Sequence, residues 1–173
     1  MQAIVLRFDY TTSTKIEHLQ KQANAASLDS TAMLPPHMTL QAFEQTDPAD
    51  LKKALAPWAE QSAQLPLEFT SLGFFKQQGV FYTAPAFTDA LKDFHQSVNL
   101  AASGFTGQQD NYLPDRWVPH ATITKNIAAP FWGPMFARLS MEFEPFSGKA
   151  VALECWSIAQ GKAQNDWSIF LSE

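Results

Sequence analysis

One short phrase occurs twice in the sequence, Pro36-His37-Met38-Thr39-Leu40 and Pro119-His120-Ala121-Thr122-Ile123. Each copy reads proline, histidine, any residue, threonine, aliphatic. In an extended segment side chains alternate with a period of two, so His and Thr two positions apart point to the same face of a sheet. An imidazole titrates near neutral pH and can act as base or acid, and a hydroxyl can donate a hydrogen bond to developing charge. The repeated pair therefore points to an acid, a base and two donors converging on one substrate.

The surroundings support the extended reading. Proline cannot donate to a sheet ladder and is best tolerated where a strand begins, so both histidines are expected as first residues of strands. After the first, His37, Thr39, Gln41 and Phe43 should share one face and Met38, Leu40 and Ala42 the other. After the second, His120, Thr122, Thr124 and Asn126 oppose Ala121, Ile123 and Lys125. One polar and one apolar face fit a sheet with a core on one side and a wet groove on the other. A decoy shows that the letters alone prove little. His95-Gln96-Ser97-Val98 has a similar pattern but sits in a helical run with Phe87, Leu91, Phe94 and Val98, where residues two apart lie about 200° around the axis.

These strands need a scaffold, and the rest of the chain describes one. Residues 4–8 alternate as a strand. Thr14-Lys15-Ile16-Glu17 has the form of a capping box opening a helix to about Ala26. The first motif strand runs from His37 to about Glu44, and Asp47-Pro48-Ala49-Asp50 starts a second helix with Leu51, Leu55 and Trp58 on its apolar face. Strands at 67–72 and 80–83 surround a turn at Gly79. Thr88 caps a helix to about Ala102, and a polar loop at 104–115 leads to the second motif strand at His120. Helical spacing is weaker over 131–139, and a hairpin of 150–159 with 166–171 turns through 161–165. Strand, helix, motif strand thus occurs twice, which predicts an α+β fold with mainly antiparallel sheets.

With 173 residues, of which 46% are hydrophobic and 17% charged, the chain has the composition of a soluble globular protein. A single cysteine, Cys155, points to a reducing compartment, and with no leader or spanning stretch a cytosolic location is expected. The net charge of −5 and only three arginines, Arg7, Arg116 and Arg138, argue against a long duplex or polymer as a tight partner. A single phosphate or a strand terminus is compatible with them.

The two phrases, their spacing and the order of elements resemble the 2H phosphoesterase superfamily, which includes 2′-5′ RNA ligases and RNA 2′,3′-cyclic phosphodiesterases. The resemblance spans essentially residues 1–173 as a single domain. It implies a bilobal α+β fold of two antiparallel-sheet lobes, helices outside and a central cleft, each lobe supplying one His-x-Thr motif without metal or other cofactor. His37, Thr39, His120 and Thr122 occupy the motif positions, and Lys125 matches a basic residue often found after the second motif. The expected partner is a nucleotide or RNA terminus bearing a cyclic phosphate, with no membrane.

Opening a cyclic phosphodiester needs a base for water, an acid for the departing sugar oxygen and donors for the phosphoryl oxygens. Two histidines and two threonines supply them. Arg7, Gln41, Thr124, Arg116 and Trp117 are the candidate substrate-binding residues, with Arg116 and Trp117 placed to gate the groove. Tyr82, Phe8 and Tyr10 could stack a base, although most aromatics must be core, and Trp58, Trp132, Trp156 and Trp167 read as packing. Three rival readings stand beside this one. A zinc hydrolase would need a third ligand that His18, His95 and Cys155 do not supply at a recognisable spacing. A binding module would use the same cleft without turnover. A structural domain would leave His37 and His120 far apart.

Overall fold

Residues 1–26 and 33–173 are described by the computed structural model. In chain order they form β1 (Gln2–Phe8), α1 (Tyr10–Ala26), β2 (His37–Phe43), α2 (Pro48–Ala59), β3 (Leu65–Phe75), β4 (Val80–Pro85), α3 (Asp89–Ala101), β5 (Ala121–Thr124), α4 (Trp132–Glu142), β6 (Phe146–Ala159) and β7 (Lys162–Phe170). Part of the link between α1 and β2, residues 27–32, lies outside the described residues.

All strand pairs are antiparallel, in the order β2-β1-β6-β3-β4-β5, with β7 beside β6. The long β6 joins two halves: its residues 146–150 pair with β3 and its residues 150–157 with β1. The two ends of this path, β2 and β5, carry the motifs and approach one another without ladder hydrogen bonds. The result is the α+β, two-lobed arrangement with helices outside that the sequence implied.

The helices are exchanged between the halves. Leu91, Phe94 and Val98 of α3 join Leu51 and Leu55 of α2 in one core with Ile4, Leu6, Met38 and Leu40, so α3 lies behind β2. Leu19 and Ala23 of α1 join Met135 and Leu139 of α4 against Phe81 and Ile123, so α1 lies behind β5. Each motif strand is backed by a helix that precedes the other motif. Each fully buried Leu, Ile or Phe contributes roughly 1.5–3 kcal/mol of transfer free energy, so this exchange ties the halves together.

A bulge changes the expected faces of Gln41, Ala42 and Phe43. Opposite β1, Ile4 pairs with Gln41 but the next residue, Val5, pairs with Thr39, leaving Leu40 as an extra residue in β2. A bulge of this kind shifts the alternation by one position. His37, Thr39 and Ala42 therefore share the groove face with Arg7, Val5 and Ala3. Met38, Leu40, Gln41 and Phe43 turn to the helix side. The expected Gln41 and Phe43 positions on the groove face are thus corrected.

Asp47 and Thr88 cap α2 and α3 as expected, accepting from the backbone N–H groups of Ala49 and Leu91. The start of α1 differs: Asp9 accepts from Thr12 N–H at 2.8 Å, and Thr14 lies inside the helix with its hydroxyl on the Tyr10 carbonyl. A Thr-x-x-Glu pattern also arises on any exposed helical face, and here the nearer Asp takes the cap. The β6–β7 hairpin closes tightly at Gln160 and Gly161, with φ of 51° and 75°. Both values suit a two-residue turn; the polar run after Gly161 belongs to β7 rather than to the expected longer turn. The region expected as weakly helical forms α4, with Gly133 and Pro134 in its first turn.

Candidate active site

The prolines act through the residues before them. His37 Nδ1 lies 2.7 Å from the Pro35 carbonyl and His120 Nδ1 lies 2.8 Å from the Val118 carbonyl. A carbonyl only accepts, so in each ring Nδ1 carries the proton and the neutral imidazole keeps its lone pair on Nε2. The residue before a proline is held extended, which fixes the carbonyl two positions before each histidine. Ladder pairing starts at Ala121 rather than His120, so the second histidine is set by this turn of backbone and not by strand register.

Burial lowers the pKa of both rings. His37 falls to about 4: burial is the largest cause, the bond to Pro35 opposes it, and positive charge at Arg7, His120 and Lys125 pushes further down. Burial lowers His120 as well, opposed by its bond to Val118. The strands that carry the two rings, β2 and β5, approach one another, and the positive charge of His120 is among the smaller causes that lower the His37 pKa. Lys125 is the smallest of these causes. Its strand ends at Thr124, and Asn126 takes a φ of 61°, so simple alternation fixes neither residue.

The threonines are held from behind. The Trp117 indole N–H donates to the Thr39 carbonyl at 2.9 Å. On the other side, the buried Gln20 amide of α1 donates to the Thr122 carbonyl at 3.2 Å and reaches the Leu34 carbonyl at 3.4 Å. His95 of α3 donates from Nε2 to the Leu40 carbonyl at 2.9 Å. The decoy histidine is thus a buried support beneath the first motif.

Side chains on the groove face flank each imidazole differently. Beside His37, the Trp156 ring lies 4.6 Å away, Arg7 sits over Trp156 and donates to the Pro36 carbonyl at 2.6 Å, and Glu154 accepts from the Trp156 indole at 2.7 Å. Glu154 also faces Arg7 at 3.6 Å. Trp156 is buried, as a packing residue should be, but one of the surfaces it packs against is a motif histidine. Beside His120 lie Phe75 at 4.9 Å and Tyr82 at 5.2 Å. Gly73, Tyr82 and Thr122 form one cross-strand row, and the Tyr82 ring occupies the space that a side chain at 73 would need.

A cavity of about 400 Å³ opens at this end, lined by Phe75, Tyr112, Arg116, Trp117, His120 and Thr122 among others. A second hollow of about 230 Å³ is bordered by Arg7, Pro35, Glu154 and Trp156. Another cavity, of about 420 Å³, lies between α1 and the end of α4, and no motif residue lines it.

The remaining sequence candidates divide. Arg116 borders the larger cavity, exposed and paired with Asp110 at 3.4 Å. Trp117 borders it too, but it is buried, stacked on His95 at 3.8 Å and hydrogen-bonded, a fixed wall rather than a gate. Gln41 is buried and donates to Asn99 of α3 at 2.8 Å, away from the groove. Thr124 is buried and borders none of these three cavities. Phe8 is core and Tyr10 is 86% exposed at the start of α1. Among the described residues no three His, Cys, Asp or Glu side chains are grouped to hold a metal ion. None of the described helices is long and apolar enough to cross a membrane. Tyr112, Gln20 and Trp156 are the contributors that sequence reasoning missed; Tyr112 lies in a loop whose docking is non-local, and no local signal marks it.

Comparisons with known proteins agree with the fold. A Geobacillus sp. (strain WCH70) protein with a provisional phosphoesterase name is 25% identical over 115 residues, covering 64% of this chain and 63% of its own length. Among solved structures, LigT of E. coli in apo form superposes with a TM-score of 0.63 at 15% identity, covering 99% of this chain and 97% of its own. TT0787 of Thermus thermophilus gives 0.66 at 13% identity, covering 98% and 97%. These two show a shared fold. The family model of the 2′-5′ RNA ligase superfamily matches residues 8–162, and the chain belongs to that superfamily.

Proposed function

We propose that the protein is a metal-independent phosphoesterase acting on a 2′,3′-cyclic phosphate, or a 2′-5′ phosphodiester, at a nucleotide or RNA end. The observation that carries this reading is the matched pair of imidazoles, each with Nδ1 engaged by a carbonyl two residues earlier and Nε2 left for chemistry. In the hydrolytic direction one neutral histidine takes a proton from water as its oxygen bonds to phosphorus. The other, protonated, gives its proton to the ribose oxygen as the P–O bond breaks. Thr39 and Thr122 donate to the phosphoryl oxygens, where extra negative charge builds in the transition state.

Both rings favour the neutral form in the free protein, so an arriving phosphate anion has a second role. Its charge raises the histidine pKa values and allows one ring to hold the proton the acid step needs. Among the structural relatives, LigT has been crystallised with 3′-AMP and with phosphate, which supports a nucleotide phosphate as the ligand class here.

The test is a panel of 2′,3′-cyclic nucleotides, short RNAs ending in a cyclic phosphate and 2′-5′-linked dinucleotides, with product formation and ligand binding followed in parallel. Turnover in the presence of a chelator is the expected result. Binding without turnover across the panel would replace the enzyme with a binding module, and turnover abolished by chelator would restore the metal reading.

A further inference from the structure

We infer that Gln20 is a positioning residue that sets the separation of the two motifs: its one amide nitrogen donates to the Leu34 carbonyl ahead of the first and to the Thr122 carbonyl within the second. This rests on the function proposed above. The two distances are 3.4 Å and 3.2 Å, and the side chain is 7% exposed. An amide NH2 group carries two hydrogens, so one nitrogen can serve both carbonyls. Gln20 follows Leu19 on α1, and Leu19 and Ala23 fasten that helix to Phe81 and Ile123 behind β5. Burying an amide beside such an apolar face is costly unless it is bonded.

Each carbonyl is a short, stiff step from a reacting group. Leu34 is followed by Pro35 and Pro36, whose rings fix their own φ angles and hold the preceding residues extended. The Pro35 carbonyl takes Nδ1 of His37 at 2.7 Å, and Arg7 donates to the Pro36 carbonyl at 2.6 Å. The Leu34 side chain packs on the groove-face cluster of Ala3, Val5, Ala42 and Trp156. The prolyl segment is thus held at its start by Gln20 and near its end by Arg7. On the other side, Thr122 carries the second hydroxyl and stands two residues after His120. Because β2 and β5 share no ladder hydrogen bonds, sheet register does not set their spacing. Gln20 supplies a tie across this gap, and Trp117 supplies another through the Thr39 carbonyl at 2.9 Å. A small shift of one motif against the other misaligns the imidazoles and hydroxyls around a phosphate, which costs rate more than binding.

The experiment compares wild type with Gln20→Met and Gln20→Glu, measuring kcat, KM and thermal midpoint on the most active member of the cyclic-phosphate panel, well below each midpoint. Gln20→Met keeps the length of the side chain and removes both donors. It is expected to lower kcat about tenfold, less than the roughly 10²-fold that a misplacement of about 1 Å can cost, with KM within about twofold of wild type. Gln20→Glu keeps the shape, and its carboxyl donates to one carbonyl when protonated and to neither when ionised. Burial beside two carbonyl oxygens raises the pKa of that carboxyl, so its kcat relative to wild type should recover severalfold from about pH 8 to about pH 5.5, while that of Gln20→Met stays constant. A lowered midpoint with unchanged kcat in Gln20→Met would make Gln20 a packing residue only and overturn the inference. So would an effect on KM alone, or a Gln20→Glu ratio to wild type that does not change with pH. If Gln20→Met does not fold, the pH dependence of Gln20→Glu decides alone. These results leave the proposed function standing as long as wild type turns over; an inactive wild type would overturn both.

Discussion

The indole N–H of Trp117 donates to the backbone carbonyl of Thr39 at 2.9 Å while its ring stacks on His95 at 3.8 Å with planes 2° apart. The residue three places before the second motif histidine is therefore anchored on the first motif. Trp117→Phe can keep the stacking but loses the donor. It should lower stability in urea unfolding by about 1 kcal/mol and reduce turnover by loosening the two motifs. Unchanged stability and turnover would mean that this bond does not set their relation.

Acid should destabilise the fold through His95. The ring is 1% exposed, and burial lowers its pKa from 6.5 to about 4. Between those values the unfolded chain binds the proton and the folded one resists it, so stability falls as pH drops from 6.5 toward 4. The contribution is about 3 kcal/mol, and His37 acts in the same direction. Chemical unfolding at pH 7 and pH 4.5 checks this: His95→Gln should narrow the difference. An unchanged difference would contradict the assignment.

The site histidines predict an acid-shifted pH profile. Catalysis needs one protonated and one neutral ring, and both pKa values in the free protein are lowered, that of His37 to about 4. The singly protonated pair is most populated between the two lowered values, so kcat/KM should peak below pH 6.5 and fall above it as both rings become neutral. A profile that is flat or rising from pH 6.5 to pH 8 would contradict the burial argument.

Gly73 is required by a close approach. A methyl group there would collide with the Tyr82 ring, which lies against Phe75 at 4.3 Å and His120 at 5.2 Å. Gly73→Ala should cost about 1–3 kcal/mol by overpacking and displace Tyr82 from His120. Adding Tyr82→Ala should recover part of the stability, measurable by thermal or urea unfolding. Strictly additive losses would show that the two residues do not compete for this space.

Local chemistry made much of this arrangement legible. The caps at Asp47 and Thr88 and the presence of a strand at each motif depend on neighbours in sequence, and these appear where expected. Gln41 was misplaced because one extra residue, Leu40, shifts the alternation, and only the pairing with β1 reveals it. The prolines were read as strand-start signals, yet their larger effect is to present the Pro35 and Val118 carbonyls to the imidazoles. Tyr112, Gln20 and the exchange of α1 and α3 depend on contacts between distant segments. Periodicity is silent about which helix covers which strand.

The most direct measurement is a single-turnover assay of a 2′,3′-cyclic nucleotide with wild type, His37→Asn and His120→Asn, each checked for its fold by circular dichroism. The account predicts turnover by wild type in chelator and a loss of roughly 10²–10⁴-fold in each variant. A folded His37→Asn or His120→Asn variant that retained wild-type turnover would contradict it.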